Sequence, residues 1–481
     1  MTVRAHRTVT LTAGLVICGV ASAQGAELAA EIAELRTELA TLKSQSGDTW
    51  LTEGRAAEIK SLVRDVLADS EIRTNLQGSG ATSGYNNGFF IASADGNFRL
   101  SASFLAQARF TYNHQSSNPS GTPDPDQSST SLWGFESRRT GMAFSGNVVD
   151  PSWTYAARFN YGSNIDPYTP TANAMVLQDA WAAKDFGNGF SVKIGQFKSP
   201  FMAESLRDDG AQLTAERSVV DYFFSGGYTQ GVAASYAAEQ FRATGSYNDG
   251  PRAQNRSWSD LGSNGSIALA GRFEFKAMGA WSQFDSESSE KSDEAALMVG
   301  AAIQYYNNRG GSSTQLYAPS VPSAVYGGQG TLTTAAIDWT VDATFRSGGL
   351  SASVAFVGAS FGAAIVSTGP FPRYNSYGLV TQAGYRVTDS LECFGRWEWV
   401  NVALGATNTD GGFGEATDVN NLLTFGVNVL AGARVKWTTQ FGISLSDIGS
   451  GADLNGAGYR IDNNTNASDQ FNIITQLQLG F

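Results

Sequence analysis

Basic side chains recur through the chain at positions where neighbouring residues are alternately apolar and polar. They are Arg99, Arg109, Arg138, Arg158, Lys193, Arg242, Arg272, Lys276, Arg346, Arg386, Arg396, Arg434 and Lys436. If the aromatic and aliphatic face of each strand meets lipid, these cations face a lumen. Fixed positive charge along a water-filled passage raises the local anion concentration and repels cations, most strongly where the passage narrows. The acids in the same register are fewer: Asp179, Glu274, Asp338, Asp342, Glu392 and Glu398. On the plainer reading, pairs such as Arg396 and Glu398 neutralise each other across the wall. Arg138 and Arg139 are adjacent, so both can face the lumen only through a bulge.

A second set of charges sits in residues 199–227: Glu204, Arg207, Asp208, Asp209, Glu216 and Arg217. Folded into a wide lumen, this segment is a constriction of mixed sign. As an external cap it would carry solvated charge and select nothing. Glu216-Arg217-Ser218 invites a nucleophilic reading with Glu204 or Asp209 as base, but a serine hydrolase needs a nucleophile, a base and an orienting group together. His114, in a Gly/Pro/Ser-rich connection, supplies no convincing partner. His6, His114, Cys18 and Cys393 are the full complement of histidine and cysteine, so neither a Cys-His pair nor a structural zinc set has its ingredients. No cofactor motif is present, and the acidic loops single out no calcium site. A net charge of -12 argues against nucleic-acid binding, which needs a basic face.

The elements that must hold these charges are short strands. Charged residues are only 16% of the 481, and Gly 54, Tyr 17 and Phe 28 suit strands and turns. After the leader no apolar run approaches the roughly 18 residues of a membrane helix. From residue 97 the period is two. At the C-terminus Phe471, Ile473, Thr475, Leu477, Leu479 and Phe481 share one face, opposite Asn472, Gln476 and Gln478, with Ile474 breaking the rule. A soluble sandwich would also alternate. Strands near ten residues, alternating short and long connections and a terminal aromatic favour a membrane barrel. Long connections fall around 113–131, 163–176, 199–227, 249–265, 308–330, 362–376, 402–420 and 447–468. Short ones fall near Asp150, Gly187, Glu239, 346–349, 388–390 and 431–433, with a longer turn at 285–293. A strand on each side of every connection predicts an all-β fold, a sixteen-stranded antiparallel transmembrane β-barrel. Tyr112, Trp133, Tyr247 and Trp399 are placed for its interfacial girdles. Closure leaves no unpaired edge in lipid.

Ahead of the barrel, residues 1–23 read as a secretion signal: Arg4 and Arg7, an apolar stretch through Val20, then Ala21-Ser22-Ala23. Residues 24–76 read as a periplasmic α-helical segment. Leu28, Ile32, Leu35, Leu39 and Leu42 follow a coiled-coil spacing, a short seam that association would stabilise, or else one amphipathic helix packed on its own chain. Ile59, Leu62, Val63 and Val66 mark a second helical face, and residues 77–96 are a flexible linker into the barrel at 97–481.

Five stretches carry a family resemblance: Gly88-Phe89-Phe90 followed by Asp95-Gly96-Asn97-Phe98-Arg99-Leu100; the Arg138-Arg139 strand; Ile194-Gly195-Gln196-Phe197-Lys198-Ser199-Pro200-Phe201; Glu216-Arg217-Ser218; and Arg396-Trp397-Glu398-Trp399-Val400. In this order over most of residues 85–481, the chain resembles the phosphate-selective porin O and P family. The resemblance implies a homotrimeric outer-membrane pore with one channel per subunit, a third external loop folded inward, and passage of small hydrophilic, preferentially anionic, solutes. The loop placement carries to 199–227. Here that loop lacks a lysine cluster, leaving Arg207 and Arg217 as its main cations, so a general or weakly anion-selective porin is the expected form. A structural or adhesion barrel, using the N-terminal helix and external loops, is the competing class.

Overall fold

The computed structural model describes residues 36–38 and 80–481, except 87, 116–130, 162–174, 259–265, 309–333, 362–363, 367–368, 372–373, 408–412, 433, 447, 449–453 and 461–468. Residues 1–80 and 81–481 form two separate units. Of the first, Arg36–Glu38 are helical and exposed. The expected signal and both helical faces otherwise lie outside the described residues.

In the second unit sixteen strands close into one antiparallel ring. They are β1 (Arg99–His114), β2 (Ser131–Val148), β3 (Asp150–Tyr161), β4 (Val176–Gly187), β5 (Phe190–Lys198), β6 (Tyr228–Ala237), β7 (Phe241–Asn248) and β8 (Ser266–Met278). The ring continues through β9 (Ala296–Asn308), β10 (Thr334–Ser347), β11 (Leu350–Phe361), β12 (Tyr374–Thr388), β13 (Leu391–Thr407), β14 (Phe413–Ala431), β15 (Val435–Ser444) and β16 (Phe471–Gly480). Each strand pairs with its sequence neighbour, and β16 returns to β1 from Phe471↔His114 to Gly480↔Leu105. The ring thus closes without an edge strand, as a lipid-facing sheet requires.

Burial is inverted relative to a soluble sheet. On β8, Ile267, Leu269 and Phe273 are exposed while Ala268, Ala270 and Arg272 are buried. On β16, Ile473, Leu479 and Phe481 face out while Asn472 and Gln476 are buried. A chain that turns its large apolar side chains outward and its amides and guanidiniums inward is built for lipid outside and polar contents inside. Ile474, the exception in the sequence pattern, is fully buried. It points into a lumen filled with protein, where a side chain on Gly458 would touch its Cδ1 at 3.1 Å.

Two expectations about connections need correction. The stretch 402–420 is not a long loop: β13 and β14 continue to a Thr407↔Phe413 pair, and only residues 408–412 connect them. Ladder pairing overrides the Gly, Asn and Asp turn signals there. Residues 77–96 are not simply a linker either. Ala81–Tyr85 and Phe89–Ser93 form a hairpin whose second strand pairs with Arg99–Ala102, continuing the wall beyond the end of β16.

The C-terminus closes this corner. The N–H of Phe481 donates to the Phe104 carbonyl at 3.0 Å, and its own carbonyl accepts from Phe104 N at 2.9 Å. The Phe481 ring stacks on Phe104 at 5.6 Å and meets Phe89 edge-on at 5.4 Å. Deleting Phe481 is therefore expected to cost about 2–4 kcal/mol in aromatic burial and ladder hydrogen bonds. The check is the temperature at which the folded band on unboiled gels is lost, which should fall by several degrees.

Candidate functional site: a lumen narrowed from both mouths

The connection between β5 and β6 enters the barrel. It contains helix α1 (Ala203–Leu206), a 3-10 turn (Asp209–Ala211) and helix α2 (Val219–Phe224), pinched at its neck where Ser199 N donates to the Gly227 carbonyl at 2.9 Å. Ser218 caps α2, its Oγ accepting from Asp221 N at 2.9 Å. The segment leaves the β5–β6 wall and packs Phe201, Met202, Val219, Val220, Phe223 and Phe224 against Val357, Val380, Val400 and Leu422 of β11 to β14. Glycine makes this approach possible. A Cβ on Gly378 would lie 2.9 Å from both Phe224 and Val220, and one on Gly384 would lie 2.9 Å from Leu213.

Charge then fastens the loop. Glu216 receives three arginines: Arg138 Nε at 2.7 Å, Arg109 Nη1 at 3.2 Å, and Arg139. Arg138 occupies a register shift opposite Gln107 and Ala108, and this bulge lets consecutive arginines reach one carboxylate. Arg109 also pairs with Glu136 and donates to the Gly456 carbonyl at 2.8 Å. Arg217 pairs with Asp209 at 2.5 Å, and Arg158 with Asp208 at 2.8 Å and Asp179 at 3.5 Å. On the far wall Arg396 donates to Thr214 Oγ1 at 2.6 Å and the Glu216 carbonyl at 2.8 Å, and pairs with Glu398 at 3.1 Å. Glu398 accepts from Val219 N at 2.5 Å, and Lys436 donates to the Gln212 carbonyl at 2.6 Å. Arg272 holds Asp342 at 2.8 Å, Glu274 at 2.8 Å and the Phe201 carbonyl at 3.0 Å.

The longer turn near Asp285 spans 279–295 and folds upward to meet this loop. Glu287 N donates to the Ala211 carbonyl at 3.0 Å, and its carboxylate accepts from Leu213 N at 2.8 Å and lies 3.6 Å from Arg207 Nη1. Arg207 also donates to the Phe284 carbonyl at 3.2 Å, and Arg346 to the Ser286 carbonyl at 2.8 Å. Arg386 pairs with Glu290, and Glu392 accepts from Ser288 Oγ and Asn428 Nδ2 at 2.9 Å each. Asp338 accepts from Gln304 at 2.7 Å. From the other mouth the connection after β15 brings Leu454 and Tyr459 into the core and Gly456 to Arg109.

Many inward cations of the sequence pattern are therefore anchors rather than an open ladder. Arg434 lies at the short-turn rim over the Tyr85 ring, and Arg99 lies over Phe90 of the hairpin, so neither stands at the constriction. Among the described residues, two cavities lie beside the inserted loop. The one toward the long connections, about 200 Å³, is bordered by Arg138, Arg139, Lys198, Arg217 and Arg252 against Asp209, Glu216 and Asp221. The one toward the short turns, about 180 Å³, is bordered by Lys193, Lys198, Arg242 and Arg272 against Glu274 alone. Lys198 borders both, and its ammonium donates to the Arg207 carbonyl at 2.8 Å. Lys193 lies 4.4 Å over Trp181, while Arg242 and Lys276 lie 4.0 and 5.4 Å over Trp281. Lys198, Arg252 and Glu287 were not among the residues the sequence pattern singled out for the pore. Lys198 sits in the quoted Phe197-Lys198-Ser199-Pro200 stretch, and the length of the 285–293 turn was the available signal for Glu287.

Burial shapes the loop carboxylates in opposite ways. For Glu216 burial favours the neutral acid, but Arg138, Arg139 and Arg109 more than reverse it and hold the group well below the usual carboxylate range. For Asp209 burial is likewise overcome, by Arg217 first and then Arg139. Glu204 is different: burial, then Asp221 and Glu287, push it up to about 8. A carboxyl raised in the docked loop from its ordinary 4.5 supports docking fully below that value and progressively less as pH rises through about 8. Open-channel current noise from loop excursions should therefore grow between pH 7 and 9 and shrink in E204Q. Equal noise in the two proteins at pH 9 would contradict this assignment.

A closed lipid-facing barrel with an inserted loop and charged, polar spaces beside it has the architecture of an outer-membrane channel. Residues 111–421 match the family model of phosphate-selective porin O and P, and the chain belongs to that family. It is a porin of the bacterial outer membrane. Among solved structures it is similar to Salmonella typhi OmpF in complex with daunomycin, at 11% identity over 83% of this chain and 100% of that one, TM-score 0.49. The anion-selective porin from Comamonas acidovorans matches at 12% identity over 79% and 99%, TM-score 0.47. The outer membrane channel DcaP of Acinetobacter baumannii matches at 10% identity over 82% and 100%, TM-score 0.46. No curated protein matches the chain.

Proposed function

We propose that the passage prefers small hydrophilic anions, phosphate among them, to cations. The observation that carries this reading is the imbalance in the cavity toward the short turns, where Lys193, Lys198, Arg242 and Arg272 face a single acid, Glu274. Arg272 is already satisfied by Asp342 and Glu274, so its charge is largely spent in the wall. Lys193 and Arg242 lie on aromatic rings rather than carboxylates, which leaves their charge to act on a passing solute. The preference is modest, because Asp209 and Glu216 sit among the cations bordering the other cavity. The family's description as phosphate-selective makes phosphate the first anion to test.

The same reading includes a homotrimer with one channel per subunit, a cleaved signal at 1–23 and a periplasmic helical segment at 24–76. The spacing of Leu28, Ile32, Leu35, Leu39 and Leu42 supports association through that segment, because so short a seam gains from copies already held together by barrels. In K193E/R242E the chloride-to-potassium permeability ratio should fall about tenfold, and the reduction of chloride current by added phosphate should disappear. An unchanged ratio in a correctly inserted variant would overturn the assignment of selectivity to these two residues.

A further inference from the structure

The outer face of the wall changes character at one level across β5, β6 and β7. Strand register sets Ile194, Val232 and Tyr247 side by side, and all three are exposed toward lipid. One step nearer the long connections the same outward positions are Gln196, Gln230 and Asp249, the last joined to β6 where its N–H donates to the Gln230 carbonyl at 3.0 Å. An apolar row topped by a polar one marks where a barrel passes from hydrocarbon into the headgroups of the outer leaflet. Between the two rows the surface is hollow. Gly195 and Gly231 place no side chain there, and a Cβ on Gly195, whose φ is +128°, would stand 2.2 Å from the Ala180 carbonyl oxygen. Asn255, from the connection after β7, bounds the hollow on the β4–β5 side: its N–H donates to Gln196 Oε1 at 2.7 Å and its Nδ2 to the Leu177 carbonyl at 2.9 Å. The resulting groove measures about 390 Å³, with Ile194, Val232 and Tyr247 on its apolar side and Gln230, Asp249 and Asn255 on its polar side.

We infer that this groove holds a glycolipid of the outer leaflet, its acyl chain along Ile194 and Val232 and its sugar headgroup against Tyr247, Gln230 and Asp249. A carboxylate and an amide on adjacent strands supply the acceptors and the donor that neighbouring hydroxyls require, and the aromatic ring beside them offers an apolar face to the C–H side of a sugar. A phosphate headgroup would set its charge against Asp249, on which Arg256 already acts. A free sugar would use the polar row and gain nothing from the apolar one. The groove lies on the opposite face of the wall from the two lumen cavities, so this site does not depend on the anion preference.

The test is native mass spectrometry of the full-length protein released from bilayer discs containing equal amounts of three dioleoyl lipids: glucosyl diacylglycerol, phosphatidylethanolamine and phosphatidylglycerol. The glycolipid is expected to be retained about fivefold or more over either phospholipid, the worth of a net hydrogen bond or two. Q230L/D249L should bring retention of the three to within about twofold of one another. V232W fills the apolar side and keeps the polar groups, so it should lower glycolipid retention by about fivefold even if the double variant inserts poorly. Equal retention of the three lipids, preferential retention of phosphatidylethanolamine through its ammonium, or glycolipid retention unchanged in both variants would overturn the assignment. So would the absence of any retained lipid, the result expected if a second copy of the chain covers this face.

Discussion

Replacing Glu216 by glutamine is expected to release the inserted loop and make the channel both wider and more anion-preferring. The carboxylate is the shared counter-ion of Arg109, Arg138 and Arg139, all of which are largely buried with it. Glutamine keeps the shape but leaves three guanidiniums facing an uncharged group, and uncompensated buried charge of this kind costs about 3–5 kcal/mol. The wall ladders do not depend on Glu216, so the barrel should still assemble. The loop's local docking should not survive. Planar-bilayer recording should show a conductance increase of about twofold or more, with the zero-current potential moving further in the anion direction because the arginine cluster loses one of its negative charges while Arg109 keeps Glu136 and Arg139 keeps Asp209 at 3.9 Å. Unchanged conductance together with unchanged selectivity would mean that Glu216 does not hold the constriction.

The opposite change on the far wall should move selectivity the other way. Arg396 joins the two ends of the inserted loop to β13: it donates to Thr214 Oγ1 and the Glu216 carbonyl, pairs with Glu398, and lies 3.9 Å from Glu204. In R396M the buried Glu398 carboxylate loses the cation 3.1 Å away, at a similar cost of about 3–5 kcal/mol. Conductance should again rise as α2 loosens, but the zero-current potential should shift toward cations. The two variants thus share a structural effect and differ in electrostatic sign. Because both side chains act on one loop, the double variant should fall short of the sum of the single effects by about 0.5–3 kcal/mol of coupling. Shifts of the same sign in both single variants would contradict the charge assignments.

The barrel was legible in the sequence because its physics is local. Alternation along Phe471–Phe481 sets which side chains meet lipid, and the long and short connections set which mouth each strand end reaches. The exceptions had non-local causes. Ile474 faces inward because the connection after β15 returns over it, and the turn signals after Leu404 were overridden by continued pairing of β13 with β14. The constriction was legible only in part. The adjacent Arg138 and Arg139 announced a bulge, and 199–227 stood out by length and charge. The partners could not be read from spacing: Arg109 meets Gly456 across 347 residues of chain, and Arg396 meets Thr214 and Glu216 across 182 and 180. A cation on the inward face of a strand carries no mark of whether it faces solute or anchors a loop, and that distinction separates Lys193 and Arg242 from Arg346 and Lys436.

The zero-current potential of the purified protein in a planar bilayer under a potassium chloride gradient bears most directly on the proposed selectivity. An anion-directed potential that diminishes as phosphate is added is expected from the Lys193–Lys198–Arg242 lining. A cation-directed potential would give control to Asp209, Glu216 and Asp221 and contradict it.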